Sequence, residues 1–108
     1  MIECIQFKDP NHPDMDQYKI KFVKAAIRIG DNVYLAWRHH LIINELGPTG
    51  KYKPNDFNDQ GFIDQDGYYY GSRKFCGYWA WRNGQIKKQV RELTSEDLWD
   101  NNGNPLTD

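Results

Sequence analysis

Gln60-Gly61-Phe62-Ile63 runs into Asp64-Gln65-Asp66-Gly67, then into Tyr68-Tyr69-Tyr70, and then into the segment from Ser72 to Gln85. Short runs rich in Phe, Ile and Tyr on either side of an Asp/Gly turn predict a β-hairpin. Ser72 predicts a helix start, because a serine hydroxyl accepts from a backbone amide two or three residues further on. Gly84 marks the end of that helix. Along it Phe75, Cys76, Trp79, Ala80 and Asn83 share one face, while Tyr78, Trp81 and Arg82 lie toward the other. Rings on both sides mean deep burial or a surface shared with a partner chain. Gly77 costs about 1 kcal/mol against alanine in mid-helix, which points to close approach by a neighbouring element. Tyr68 to Arg91 carries six basic residues (Arg73, Lys74, Arg82, Lys87, Lys88, Arg91) and no Asp or Glu, in a chain of formal net charge −1. That local excess of positive charge among rings points to an anion site.

Upstream, Lys19 to Ile29 alternates. Val23, Ala25, Ile27 and Ile29 fall on one face; Ile20, Phe22, Lys24, Ala26 and Arg28 fall on the other, as in a strand. Gly30-Asp31-Asn32 is a turn and Val33 to Trp37 the returning strand of a hairpin. Arg38 to Leu46 has helical spacing, with His39, Ile42, Ile43 and Leu46 on one face and Gly47-Pro48 as the stop. A helix that starts directly from a strand sets Arg38 and His39 in its first turn, where backbone N–H groups are unpaired and anions are favoured. Met1 to Phe7 fits a short edge strand and Asp9 to Gln17 a loop, so residues 1–18 form a polar N-terminal extension. Thr49 to Asp59 reads as a polar loop and Ile86 to Arg91 as an extended basic run. Leu93 to Trp99 reads as a last turn capped by Thr94 or Ser95, and residues 100–108 as a disordered tail. The whole predicts a single α+β domain over residues 1–108, with a small antiparallel sheet of four to five strands packed with two helices.

A chain of 108 residues that is 39% hydrophobic and 27% charged has an ordinary globular composition. It has no apolar run of about 18 residues to cross a membrane and no signal-peptide pattern, which predicts a cytoplasmic protein. Cys4 and Cys76 form no C-x-x-C pair and read as reduced thiols. His39 and His40 are adjacent, so on a helix they diverge by about 100° and do not share an ion; no metal is expected. Cys76 sits on the apolar helix face as a small buried thiol. Arginine is better placed for chemistry. Arg38, Arg73, Arg82 and Arg91 lie near rings or helix starts, and a guanidinium fork grips phosphate with two bonds while its face stacks on bases. Phe62, behind Gln60-Gly61, reads either as a stacking ring worth about 1–3 kcal/mol per base or as a core strand residue. Arg38 reads as a phosphate grip or a salt bridge, and Lys87, Lys88 and Arg91 as part of a site or a solvated face. The near-neutral total charge argues against polymeric nucleic acid and for a compact ligand with two or three phosphates.

Several phrases carry a resemblance: Ala25-Ala26-Ile27 leading to Val33-Tyr34, Arg38-His39 before an Ile-Ile helix, and Gln60-Gly61-Phe62. Ser72-Arg73-Lys74, Gly84-Gln85 and Ser95-Glu96-Asp97-Leu98-Trp99 follow. In order and spacing they resemble a family of small phage proteins that counter the bacterial Thoeris defence. The resemblance, over roughly Lys24 to Trp99, implies a sponge: a cytoplasmic, non-enzymatic protein without a cofactor. Such a protein binds the cyclic ADP-ribose isomer made by a TIR-domain enzyme, and in some members also cyclic oligonucleotides. It further implies self-association as a dimer or hexamer, and ligand-binding residues Arg38, His39, Phe62, Ser72, Arg73 and Arg91. The Phe75-Cys76-Gly77-Tyr78-Trp79 helix is more aromatic than the Ala-rich helix of that family. The alternatives are a nucleotide phosphodiester hydrolase using a helix-start histidine, and a phage protein-interaction module working through Tyr78 and Trp81.

Overall fold

The computed structural model describes residues 2–49, 60–100 and 102–106. Five strands form one antiparallel sheet: β1 (Glu3–Gln6), β2 (Phe22–Ile29), β3 (Asn32–Ala36), β4 (Gln60–Asp64) and β5 (Tyr69–Tyr70). Their order across the sheet is β1-β3-β2-β4-β5. Three helices accompany them: α1 (Met15–Tyr18), α2 (His39–Leu46) and α3 (Arg73–Arg82). The α+β architecture and both hairpins agree with the sequence reading. The four-residue α1 does not; it begins within the loop expected over Asp9 to Gln17 and runs one residue past it. Asp14 caps it, its carboxylate accepting from the Asp16 and Gln17 amides at 3.1 and 3.2 Å. The polar loop expected over 50–59, with Asp56 and Asp59, lies outside the described residues.

The alternation expected of β2 breaks at one point. Between Phe22 and Lys24 the pairing with β4 shifts register, so two residues of β2 advance against one of β4. A bulge of this kind reverses which face the residues before it occupy. Phe22 therefore packs with Ala25 against Phe62, Tyr70, Cys76 and Ala80 on the helix-covered face. Val23 packs with Ala26, Val33 and Ile63 on the other. Strict alternation pairs these side chains the wrong way round.

The sheet is curled. Two residues past β1, the Lys8 carbonyl accepts from the Tyr69 amide of β5, the opposite edge strand, at 3.1 Å. Four flat interstrand spacings would separate those edges by about 19 Å, whereas two extended residues span about 7 Å. Only a curled sheet brings the edges together. Phe7 and Tyr69 meet edge to face at 6.0 Å across the seam.

Helices α2 and α3 pack on the outer face. Ile42 and Leu46 cover Ile27 of β2; Cys76 and Ala80 sit in the Phe22–Phe62 cluster. A Cβ on Gly77 would lie 3.1 Å from Val90, so the mid-helix glycine does admit a close neighbour. The segment expected to be extended, Ile86 to Arg91, runs instead through bends and lays Val90 there. Thr94 caps the final turn, and its amide and hydroxyl each donate to Asp97 at 3.0 Å. Beyond it, where composition predicts disorder, Trp99 pairs with Pro105. Asp100 accepts from the Asn102 and Asn104 amides at 2.8 and 2.9 Å.

Candidate functional site

Four of the six expected ligand residues (Arg38, His39, Phe62 and Arg73) lie around the segment from Leu93 to Trp99, and the side chains of the first three are engaged by protein contacts. Arg38 precedes α2; its guanidinium meets Glu96 at 3.1 Å, and its buried Nε has no partner among the described residues. His39 is buried and its Nε2–H donates to the Gly61 carbonyl at 2.7 Å. Burial pushes its pKa below the ordinary histidine value; the Gly61 carbonyl opposes that, and the charge of Arg73 reinforces it. Phe62 is wholly buried, with Phe22, His39 and Trp99 at 5.8, 5.1 and 6.2 Å. Its ring has no open face for a base to stack on. A side chain at Gly61 would collide with the Tyr70 carbonyl, so the strand ahead of Phe62 is clamped against β5, and the core reading of Phe62 describes its position. Arg73 is half-buried, and its carbonyl accepts from the Leu93 amide at 2.9 Å. Arg91 is exposed in the bends beyond α3 and stands apart.

Ser72 is different. It caps α3, its hydroxyl accepting from the Phe75 amide at 3.2 Å, and it opens on a cleft of about 690 Å³. Small-molecule sites typically measure about 300–1,000 Å³. One wall is β5 and the start of α3, where the Tyr70 and Phe75 rings stack at 5.6 Å, nearly parallel. The facing wall is the segment between β1 and α1, including Asp9 and His12, with Met15 at the start of α1. Arg28 of β2 closes the third side. Its guanidinium lies 3.6 Å from the centre of the Phe7 ring, and its Nε donates to the Gly30 carbonyl at 2.8 Å. The first amides of α3 lack intrahelical acceptors and carry the positive end of the helix dipole. Rings, a fixed guanidinium and a helix start thus line one concavity.

Behind the cleft lies Asp64, 1% exposed. One oxygen accepts from the Asp66 and Tyr68 amides at 2.9 and 3.0 Å; the other accepts from the Tyr18 and Tyr70 hydroxyls, both at 2.8 Å. Tyr18 also reaches Asp66 at 2.7 Å. Burial, with the hydrogen bonds to the aspartates, raises both phenol pKa values. His12 stacks on Tyr18 with ring centres 3.6 Å apart, and its buried Nε2 has no partner among the described residues. Sequence reasoning missed this arrangement because Asp64 and Asp66 read as turn formers. The signal available was three tyrosines directly after two aspartates. Cys76 is sealed in the core, and burial pushes its thiol up, which suits packing rather than nucleophilic attack. Among the described residues no three His, Cys, Asp or Glu side chains gather as metal ligands, and no helix is long and apolar enough to cross a membrane.

The phage T4 y16D protein model matches residues 21–99, most of the chain. The chain belongs to that family. No curated protein and no solved structure matches it. The family span takes in β2 to the final turn, and with it Arg28, Asp64, Tyr70 and Ser72. The cleft wall from Phe7 to Met15 lies before it.

Proposed function

We propose that this phage protein is a binding protein that captures a compact anionic nucleotide in the cleft between β5, the start of α3 and the segment after β1. Its ligand is a cyclic ADP-ribose isomer, held without cleavage, so that the TIR-dependent Thoeris effector stays inactive. The observation that carries the reading is the cleft itself: stacked rings beside a guanidinium already held in place by Phe7 and Gly30. Stacking and bidentate phosphate pairing are the two interactions a nucleotide offers. Arg28 takes the grip that the sequence assigns to Arg38, whose charge is spent on Glu96. The hydrolase that would use His39 is disfavoured, because His39 is committed to the Gly61 carbonyl and Cys76 is sealed; His12, which lines the cleft with an Nε2 that has no partner among the described residues, makes return of intact ligand the deciding measurement. A hydrolase needs a free base in reach of its nucleophile.

Calorimetry with the cyclic ADP-ribose isomers, followed by heat denaturation and chromatography of the supernatant, tests this. Binding with intact ligand returned is expected. Arg28→Lys keeps the charge but loses the fork, and should weaken binding about tenfold. A product peak, or no binding of any isomer, overturns the proposal.

A second reading concerns assembly. Tyr78 and Trp81 stay 38% and 39% exposed on the outer face of α3, which supports self-association through that face. Trp81→Arg should then shift an oligomer to monomer in light scattering; an unchanged mass would exclude this surface.

A further inference from the structure

The segment between β1 and α1 forms one wall of the cleft and is fastened at both ends. At its start the Lys8 carbonyl accepts from Tyr69 and the Lys8 ammonium donates to the Asp66 carbonyl at 2.8 Å. At its end Tyr18 bonds Asp64 and Asp66, while Asp16 pairs with Arg82 of α3 at 2.7 Å. The Asp16–Arg82 pair is exposed on both sides, where ion pairs contribute little. The phenol is the stronger fastening, because it meets a buried carboxylate. The opposite wall depends on the same carboxylate: Tyr70, stacked on Phe75, donates to the same Asp64 oxygen.

Proton counting separates the two walls. Tyr70 has one proton and one acceptor, so its bond is exclusive. Tyr18 has one proton and two carboxylates in reach, and a hydroxyl donates only once. Its bond can pass from Asp64 to Asp66 without being lost. The Tyr70 wall therefore hangs on Asp64 alone, whereas the Tyr18 wall can hang on either aspartate.

We propose that Asp64 is the positioning residue of the cleft: it fixes the Tyr70 wall and holds the 9–17 strap through a phenol shared with Asp66. This rests on the cleft being the binding site. Lys8 and Arg82 contact the strap and its fastenings from outside, and His12 and Asp16 lie within it; none of the four is joined to the Asp64 carboxylate, so they do not replace it.

The test begins on ligand-free protein. Alkaline titration of tyrosinate absorbance, with Tyr18→Phe and Tyr70→Phe assigning the signals, is paired with hydrogen exchange of amides 9–17. Asp64→Asn should lower the ionisation pH of both tyrosines, and strap exchange should speed about tenfold or more only once Asp66→Asn is added, because either aspartate alone holds the Tyr18 phenol. Asp66→Asn should move Tyr18 alone. Tyr18→Phe should release the strap, and Tyr70→Phe should leave its exchange as in wild type. Should Asp64→Asn fail to fold, this last pair decides. Equal strap exchange in the two phenylalanine variants, or an unaltered strap in Tyr18→Phe, overturns the proposal. With a cyclic ADP-ribose isomer added, the strap should gain protection in wild type and lose that gain in Tyr18→Phe. If wild type binds no isomer, the nucleotide reading fails, and the ligand-free readouts still decide the positioning role.

Discussion

Replacing Phe62 with alanine separates a core ring from a ligand-stacking ring. Phe62 is fully buried at the junction of β4, α2 and the final turn, and its neighbours Phe22, His39 and Trp99 come from three other parts of the chain. Burying a phenylalanine stabilises by about 1.5–3 kcal/mol from transfer alone. The vacated ring adds a cavity term, because strands pinned by backbone hydrogen bonds relax only partly. Together these give about 3–5 kcal/mol for Phe→Ala. A domain of this size has about 5–15 kcal/mol in total, so the variant should lose a large part of its stability. Urea unfolding followed by tryptophan fluorescence is a suitable assay, since Trp99 lies 6.2 Å from the ring. The expected result is a much lower midpoint with an unchanged slope. A variant within about 0.5 kcal/mol of wild type, the range of a surface change, would refute the placement of Phe62 and restore a role at a ligand.

Three further outcomes follow from local geometry. Ser72→Ala removes the acceptor for the Phe75 amide and should cost about 1 kcal/mol, read as a lower denaturation midpoint. Gly77→Ala should destabilise, although alanine favours helix by about 1 kcal/mol, because the new methyl meets Val90 side chain and backbone at 3.1 Å; a rise in midpoint would show that Val90 yields. His39 has a depressed pKa in the fold, so the unfolded chain takes up its proton first as pH falls. Its contribution is present above the unfolded value of about 6.5 and is lost as pH falls from there toward the folded value. Melting temperature should decline over that window, and His39→Gln should flatten the decline.

Much of the fold is legible in short-range chemistry. The Gly30-Asp31-Asn32 turn, the Ser72 cap and the Thr94 cap each follow from one residue type meeting one backbone requirement. The bulge at Val23 is not legible, because Val23 and Phe22 are equally apolar and either face accepts either side chain; only pairing with β4 selects. The proposed cleft joins the kinds of group that the sequence names for an anion site, at a different address. Rings, arginine and a helix start do converge, but the arginine is Arg28, since Arg38 finds Glu96, 58 residues away. Such a pairing leaves no local trace. Nor does the Asp64 hub, whose partners Tyr18 and Tyr70 lie 46 and 6 residues away.

The seam that joins β1 to β5 also bears on the order of folding. Lys8 and Asp66 lie 58 residues apart, and closing a loop costs more entropy as it lengthens, by about 0.6 kcal/mol per doubling. The β2–β3 and β4–β5 hairpins are local, so loop entropy favours their forming before the seam. β1 and the strap after it dock once both edges exist. Conservative substitutions at Ile5 or Phe7 should therefore leave the folding rate nearly unchanged and accelerate unfolding, which makes the seam the place where the molecule first comes apart.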